Sequence, residues 1–594
     1  MTDSGSRFYQ YRPLPSERFI RLLELYPGHT NDDIDCTLHQ TKLEDAPKYE
    51  AISYVWGDPA NKLNMLCDGK ILLVTLNLKN ALHRLRLKDE SRILWADAIC
   101  INQNDVVEKG SQVKLMARIY GNATRVCIWL GCTVPQMLPA FELIAAIVSR
   151  ASVTCTGTSM SSTPKESLYL TLYCSIDRAE LPNSSSECWL ALDIFFSAAW
   201  FDRLWVIQEV NRHTSTVFCS EYEIRWKDIV LVARLLLEPR RTGDLSSACL
   251  AHITNAISVV QIESADQDSS TSGIFDLFRH FKCTDQRDKV YALLSFPPLC
   301  ELQPLIQPDY SKSVAEVFEE ATVRIFTSCQ NLGLLSSLDH DCVIDEEWPS
   351  WVPRWDRRRT TQILHNYASG RAQSSLPRIK YRPKILISEG ICISGLSWYG
   401  GVIGGKVDKS AYGRFEMDPL KHPFQEWLLK YFPKITHSTD PLLLIIAMTL
   451  TVGLDFESNC PPVDMAQFRL DFLAYVVGTV SSLDMLGTAQ HLSQLLVVEG
   501  LAGNSRNFHA AAWRGCSNKR FFCTQDGGFG IGPRAAQTGD HIVLLYGSNA
   551  PCVLRKRGPY YQFVGECYLH QHMHGEAIKM AAEELLAVEE FEIR

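Results

Sequence analysis

One stretch, residues 92–131, constrains this chain more than any other: RILWADAICINQNDVVEKGSQVKLMARIYGNATRVCIWLG. Near-continuous apolar runs at 93–101 and 125–130 have strand length, and between them Val113, Met116, Ala117 and Tyr120 recur at helical spacing. Such a pattern predicts a buried strand, a polar turn, a helix facing the sheet and a second buried strand, which is a crossover in a parallel sheet covered on both faces. Open α/β sheets place their ligands outside the carboxyl ends of the strands. Asp97, Asn102, Gln103, Asn104 and Asp105 therefore mark the candidate site. Asp105 and Glu108 have the spacing of a capping box, which predicts a helix start there.

Three blocks carry a family resemblance. YEAISYVWGDP (49–59), LWADAICINQND with the following EKGSQVKLMARIYGNA (94–123), and WFDRLWVIQEV (200–210) resemble, in order, the signature blocks of the fungal heterokaryon-incompatibility (HET) domain. Membership implies a filamentous fungus, a role in non-self recognition or regulated cell death, and an incompatibility partner protein. Within the third block, RLWVIQEV also resembles the Trp-Cys-x-x-Glu stretch of Toll/interleukin-1-receptor (TIR) domains, with Trp205 on the tryptophan, Glu209 on the glutamate and Val206 replacing the cysteine. AISYVWGD resembles the FISY opening of a TIR domain, with Tyr54 on its tyrosine. The implied fold is a TIR-like, flavodoxin-like parallel sheet. The implied chemistry is hydrolysis of NAD or a related nucleotide, with NAD as substrate and no cofactor.

These residue types suit that chemistry. Breaking an N-glycosidic bond passes through an oxocarbenium-like state that a neighbouring carboxylate stabilises, and burial beside tryptophans raises a carboxyl pKa. Glu209 is the candidate catalytic group. Tyr54, Trp56, Asp58, Asp97, Asn102, Gln103, Arg203 and Trp205 are candidate substrate-binding residues. The competing reading pairs Glu209 with Arg203 or Arg212 as a structural ion pair. The domain is then a non-catalytic module that signals by self-association.

At 594 residues the chain is too long for one core. Residues 1–48 read as an arm and a hairpin (19–25 and 34–40), and residues 49–212 as the HET domain with a Ser/Thr-rich insertion near 152–167. Tyr49 to Trp56 alternates as a strand, and Asn77 is placed to cap a helix carrying Leu78, Ala81, Leu82 and Leu85 on one stripe. After a small hairpin (216–219, 223–226), residues 213–377 are mainly helical and 378–503 mixed. Residues 504–594 read as a small antiparallel β module with a terminal helix, a module that also resembles the terminal one of this protein class. DQRDKVYALLSF (285–296) and PSWVPRW (349–355) resemble segments found downstream of many HET domains and read as structural anchors.

A net charge of −8 argues against a nucleic-acid partner. Twenty cysteines without a CxxC pair, and no signal-peptide pattern, favour reduced thiols and a cytoplasmic location. The most apolar window, 441–454, is shorter than the roughly 20 residues a spanning helix needs, so it reads as a buried helix and not a membrane anchor. GGVIGGK (400–406) lacks the Ser/Thr of a phosphate loop, and GGFGIG (527–532) reads as a hairpin turn. His570, His572, His574 and Glu576 alternate as on one face of a strand, the spacing of any solvated strand, so no metal is expected.

Overall fold

The computed structural model describes residues 7–131, 137–156, 187–210, 214–237, 245–263, 271–403, 441–480 and 502–594, apart from short gaps at 30–31, 297–298, 303, 341–342, 362–363, 365–366, 368 and 372–378. Two compact units divide the chain, Met1–Val314 and Ala315–Arg594. Arg212, most of the Ser/Thr-rich insertion (157–167), and residues 404–440 and 481–501 of the mixed region lie outside the described residues.

The first unit is built on a nine-stranded mixed sheet. Its strands are β1 (Phe19–Leu25), β2 (Asp35–Lys42), β3 (Glu50–Tyr54), β4 (Lys62–Cys67), β5 (Lys70–Thr75), β6 (Arg92–Trp95), β7 (Arg125–Trp129), β8 (Ser215–Cys219) and β9 (Tyr222–Arg225). They lie in the order β5-β4-β2-β1-β6-β3-β7-β8-β9. The central strands β6, β3, β7 and β8 are mutually parallel. β1 joins antiparallel to β2 and β6, and the hairpin partner β9 closes the other edge. Because β3 lies between β6 and β7, the parallel strands run second-first-third-fourth in chain order.

The crossover expected at 92–131 is present. Helix α1 (Leu76–Leu85) precedes it, and α2 (Asp97–Cys100) and α3 (Val106–Asn122) connect β6 to β7. Val126, Cys127 and Ile128 are fully buried, as a strand covered on both faces requires. Tyr49 donates to the Ile119 carbonyl at 2.5 Å and Tyr120 to the Ile52 carbonyl at 3.0 Å, which pins α3 across β3. Tyr120 meets Trp95 edge-on with ring centres 5.3 Å apart. Each such burial contributes about 1.5–3 kcal/mol.

Three local expectations need correction. The first strand stops at Trp95, because Ile99 and Cys100 turn their amides back to the Ala96 carbonyl and start α2. Ile99, Cys100 and Ile101 are buried as a turn, so their apolarity does not signal a strand. Asn77 does not cap α1. Thr75 occupies the cap, and Asn77 bridges two strand ends instead, donating to the Val55 carbonyl and accepting from the Trp129 indole. The expected stripe of Leu78, Ala81, Leu82 and Leu85 is buried.

The third correction concerns the capping box. Asp105 caps α3, accepting from the amides of Val107 and Glu108 at 3.0 Å each. Glu108 does not reach back to it. Its carboxylate grips the buried Arg21 of β1 at 2.5 and 2.9 Å and accepts the Asn102 amide.

The second unit contains β10 (Ile379–Arg382), β11 (Ile385–Val402), β12 (Lys519–Thr524), β13 (Phe529–Pro533), β14 (His541–Leu545), β15 (Cys552–Arg557), β16 (Tyr560–Glu566), β17 (Tyr568–Leu569) and β18 (Val588–Ile593). β11, β14, β15, β16 and β18 pair in a closed ring, which leaves those strands without a free edge. Register shifts bend the eighteen-residue β11 so that its first half joins the ring and its second half pairs with β12. Gly390 allows this, since a Cβ there would stand 2.8 Å from the Leu544 carbonyl. Leu396, Phe522, Ile542, Val553 and Val564 form one core cluster of this unit.

The β module thus differs from the expectation in three ways. It is not wholly antiparallel, because β16 and β18 run parallel, and it recruits β11 from far upstream. The helix Glu576–Ala582 precedes a last strand and does not end the chain. GGFGIG spans the turn into β13, as expected, whereas Gly400 and Gly401 lie inside β11. His570, His572 and His574 fall on turns, not on a strand, so they share no strand face. Residues 441–454 open with the buried helix Pro441–Leu450, and no helix among the described residues is long and apolar enough to cross a membrane.

Candidate functional site

The site gathers at the carboxyl ends of the parallel strands. β3 places Ser53 opposite Ile128 and Tyr54 opposite Trp129 on β7 before the chain leaves through Trp56 and Gly57. β6 ends at Trp95, two residues before Asp97, which opens α2. The third contributor is the turn Ala199–Asp202 followed by a one-turn helix, Val206–Glu209.

Glu209 is 1% exposed and fully engaged. Arg203 binds it in bidentate fashion, both guanidinium nitrogens at 3.0 Å. The Ser53 hydroxyl donates to the same carboxylate, and the Trp200 indole donates to Ser53 at 2.8 Å. Trp200 is itself wedged against Trp226, ring centres 5.4 Å apart. This half of the site is a buried ion pair with a hydroxyl and an indole behind it.

The other half centres on Asp97, which is 8% exposed. Trp56, 41% exposed, donates its indole N–H to Asp97 Oδ2 at 2.8 Å. The Ala98 amide donates to Oδ1, and Gln103 donates to the Asp97 carbonyl at 3.0 Å. The Tyr54 hydroxyl is buried beside Asp97.

One field joins the halves. Burial lifts the Glu209 carboxyl above the ordinary carboxylate range, Arg203 opposes the rise, and Asp97 reinforces it. Burial works against the charge on Arg203, but Glu209 and Asp97 outweigh it and hold the guanidinium above its usual value. Burial, then Asp97, pushes the Tyr54 phenol well up. Arg203 is therefore a single cation serving two buried carboxylates.

Not every candidate lies here. Asp58 is an exposed turn former whose carboxylate accepts the Ala60 amide. Asn102 accepts the Asn104 amide and belongs to the turn before α3. Trp205 faces away from Glu209, donating to Asp288 at 3.0 Å. Tyr54, Trp56, Asp97, Gln103, Arg203 and Glu209 do come together. Ser53 and Trp200 complete the set. Both sit inside the quoted blocks, and strand alternation at Ser53 was the available signal. Among the described residues no group of three metal-ligating side chains converges.

The first unit is thus a mixed α/β sheet with a parallel centre, and the second contains a closed β ring. Residues 49–209 match the heterokaryon incompatibility protein (HET) family, and residues 489–586 match the Het-6 beta-barrel domain. The blocks at 49–210 fall where that match lies. More particularly, the chain is similar to heterokaryon incompatibility protein 6, OR allele, of Neurospora crassa, with 25% identity across 95% of each chain. No solved structure matches it.

Proposed function

We propose that this chain acts in heterokaryon incompatibility, in fungal non-self recognition and regulated cell death, and that its rim site hydrolyses NAD or a related nucleotide. The relative's name supports the first part. The strand order second-first-third-fourth supports a TIR-like, flavodoxin-like arrangement, in which ligands sit where the order reverses, here between β3 and β7. The observation that carries the chemistry is the pair of buried carboxylates around Arg203, with the buried Tyr54 hydroxyl beside Asp97 and a half-exposed Trp56 at the mouth. A fold gains little from burying charges at such cost, and perturbed groups of this kind cluster at functional sites.

In the proposed reaction the nucleotide's pyrophosphate draws on the Arg203 guanidinium, whose planar fork suits phosphate as well as carboxylate. Glu209, partly released, faces the ribose. The bond from C1′ to the nicotinamide nitrogen breaks with its electron pair going to nicotinamide, and the carboxylate stabilises the cation left on the sugar. Water adds to C1′ and loses a proton, giving nicotinamide, ADP-ribose and a proton. The Trp56 ring offers a stacking surface for a base.

The fully satisfied state of Glu209 favours a second reading. A carboxylate 1% exposed with three donors also suits a latch in a non-catalytic module that signals by self-association. The experiment is nicotinamide release from NAD by purified protein, with Glu209→Gln alongside and folding checked by circular dichroism. A fall of about a hundredfold or more is expected. Equal rates, or no product from assembled wild type, would move the assignment to the scaffold.

A further inference from the structure

We propose that the segment 282–310, beyond the matched HET region, is part of the rim site, with Asp288 as a positioning residue that sets the Arg203–Glu209 turn through Trp205. Its kinetic consequence rests on the hydrolytic reading above; its geometry does not.

A four-residue helix does not hold itself, because one turn fixes more dihedral angles than its hydrogen bonds repay. Val206–Glu209 is therefore anchored from outside. On the near side the Lys282 amide donates to the Asp202 carbonyl and the Leu204 amide to the Lys282 carbonyl, bracketing Arg203. On the far side Gln208 donates to the Ala292 carbonyl at 2.8 Å, and Trp205 donates to Asp288 Oδ2 at 3.0 Å. The turn thus shows Arg203 and Glu209 to β3, and Trp205 and Gln208 to residues 288–292.

Asp288 is equally fixed. Tyr310 donates its hydroxyl to Oδ1 at 2.7 Å, so each carboxylate oxygen has its own donor. The Tyr310 ring lies under Lys109 Nζ at 4.1 Å and beside the Arg287 guanidinium. Lys109 belongs to α3, whose next residue, Gly110, packs so tightly that a Cβ would stand 2.9 Å from the Pro308 carbonyl. A continuous set of contacts therefore runs from α3 through Tyr310, Asp288 and Trp205 to Glu209. Of the residues on the turn, the Asp288 carboxylate meets Trp205, so its side chain acts on Glu209 through that residue.

Burial lifts the Asp288 carboxyl to about 6; hydrogen bonds from Tyr310 and Trp205 and the charge of Lys109 oppose the rise, while Asp285 adds to it. Tyr310, Trp205, Asp285, Lys109 and Arg287 are the polar groups around it. Above about 6 the ionised group accepts from both donors; below it a proton on Oδ1 reverses the bond with the Tyr310 hydroxyl, and Oδ2 accepts the Trp205 indole without the help of a negative charge.

The test measures nicotinamide release by the full chain for wild type, Asp288→Asn and Trp205→Phe, from pH 5 to 8, with hydrogen exchange of amides 204–210 measured in parallel. Both variants should lower kcat about tenfold or more with KM little changed. The double variant should be no worse than either single one. The wild-type kcat should fall more steeply than that of Asp288→Asn as pH drops through about 6. Wild-type kcat and an unaltered pH profile in both variants overturn the proposal. If wild type releases no nicotinamide, the hydrolytic reading fails, and exchange decides the positioning. Faster exchange at 204–210 in both variants, with β6 unchanged, supports it, and unchanged exchange there overturns it.

Discussion

Arg203→Met is expected to destabilise the first unit by about 3–5 kcal/mol, because it leaves Glu209 buried as a carboxylate with no cation. The pair is 1% and 17% exposed on its two sides, so water cannot replace the guanidinium. Ser53 still donates one hydrogen bond, which does not offset a buried charge. The sign with pH follows from the same argument. With Arg203 gone, the carboxyl rises further and takes a proton more readily, so the loss should shrink as pH falls and Glu209 neutralises. Arg203→Met combined with Glu209→Leu should recover most of it, since removing both charges also removes the desolvation cost. Hydrogen exchange of the β3 amides reads this locally, which suits a chain of two compact units. A loss below about 1 kcal/mol would mean that the pair is solvent-exposed in solution.

The second large effect is expected at Arg21→Met, also about 3–5 kcal/mol. Arg21 is 1% exposed, and it serves more partners than Glu108 alone, donating to the Cys100 carbonyl at 3.1 Å and the Arg12 carbonyl at 2.7 Å. The Tyr11 ring covers it 5.0 Å away, and Tyr11 donates to the Ile99 carbonyl. One side chain therefore ties the N-terminal arm, β1, α2 and the start of α3 together. Arg21→Lys should rescue little, since an ammonium has no planar fork for the carboxylate and two carbonyls. Faster proteolysis of residues 9–14 should accompany the loss in urea-unfolding stability. A neutral Arg21→Met would contradict the buried-pair account.

Much of the fold was legible because its signals are local. The near-continuous apolar character of β7 and the spacing of Val113, Met116 and Tyr120 define strand and helix without reference to the rest of the chain. Asp105 announced its cap in the same way. The misplaced end of β6 has a physical cause: Ala96 to Ile101 is apolar whether it runs on as a strand or turns back to the Ala96 carbonyl. Glu108 was misread because its partner Arg21 lies 87 residues away, where no spacing rule reaches. β11 was hidden by its own glycines, which resemble loop signals, whereas at Gly390 the missing side chain lets the neighbouring strand approach.

The site was legible in its residues more than in their directions. Trp56, Asp97 and Glu209 follow from strand ends and from the resemblance, and they share one rim. Trp205, four residues before Glu209, was expected beside it. The short helix begins at Val206, so Trp205 precedes it and turns to Asp288 instead. Sequence distance on one turn of helix does not settle which neighbour each face will find.

The central claim is that Asp97 and Glu209, contributed by distant parts of the chain, lie in one buried field around Arg203. Carboxyl 13C titration of Glu209 in wild type and Asp97→Asn tests it most directly. Asp97 contributes to the rise of the Glu209 carboxyl, so removing its charge should move the Glu209 midpoint downward. A Glu209 midpoint indifferent to Asp97, or one at the ordinary value of an exposed glutamate, would contradict it.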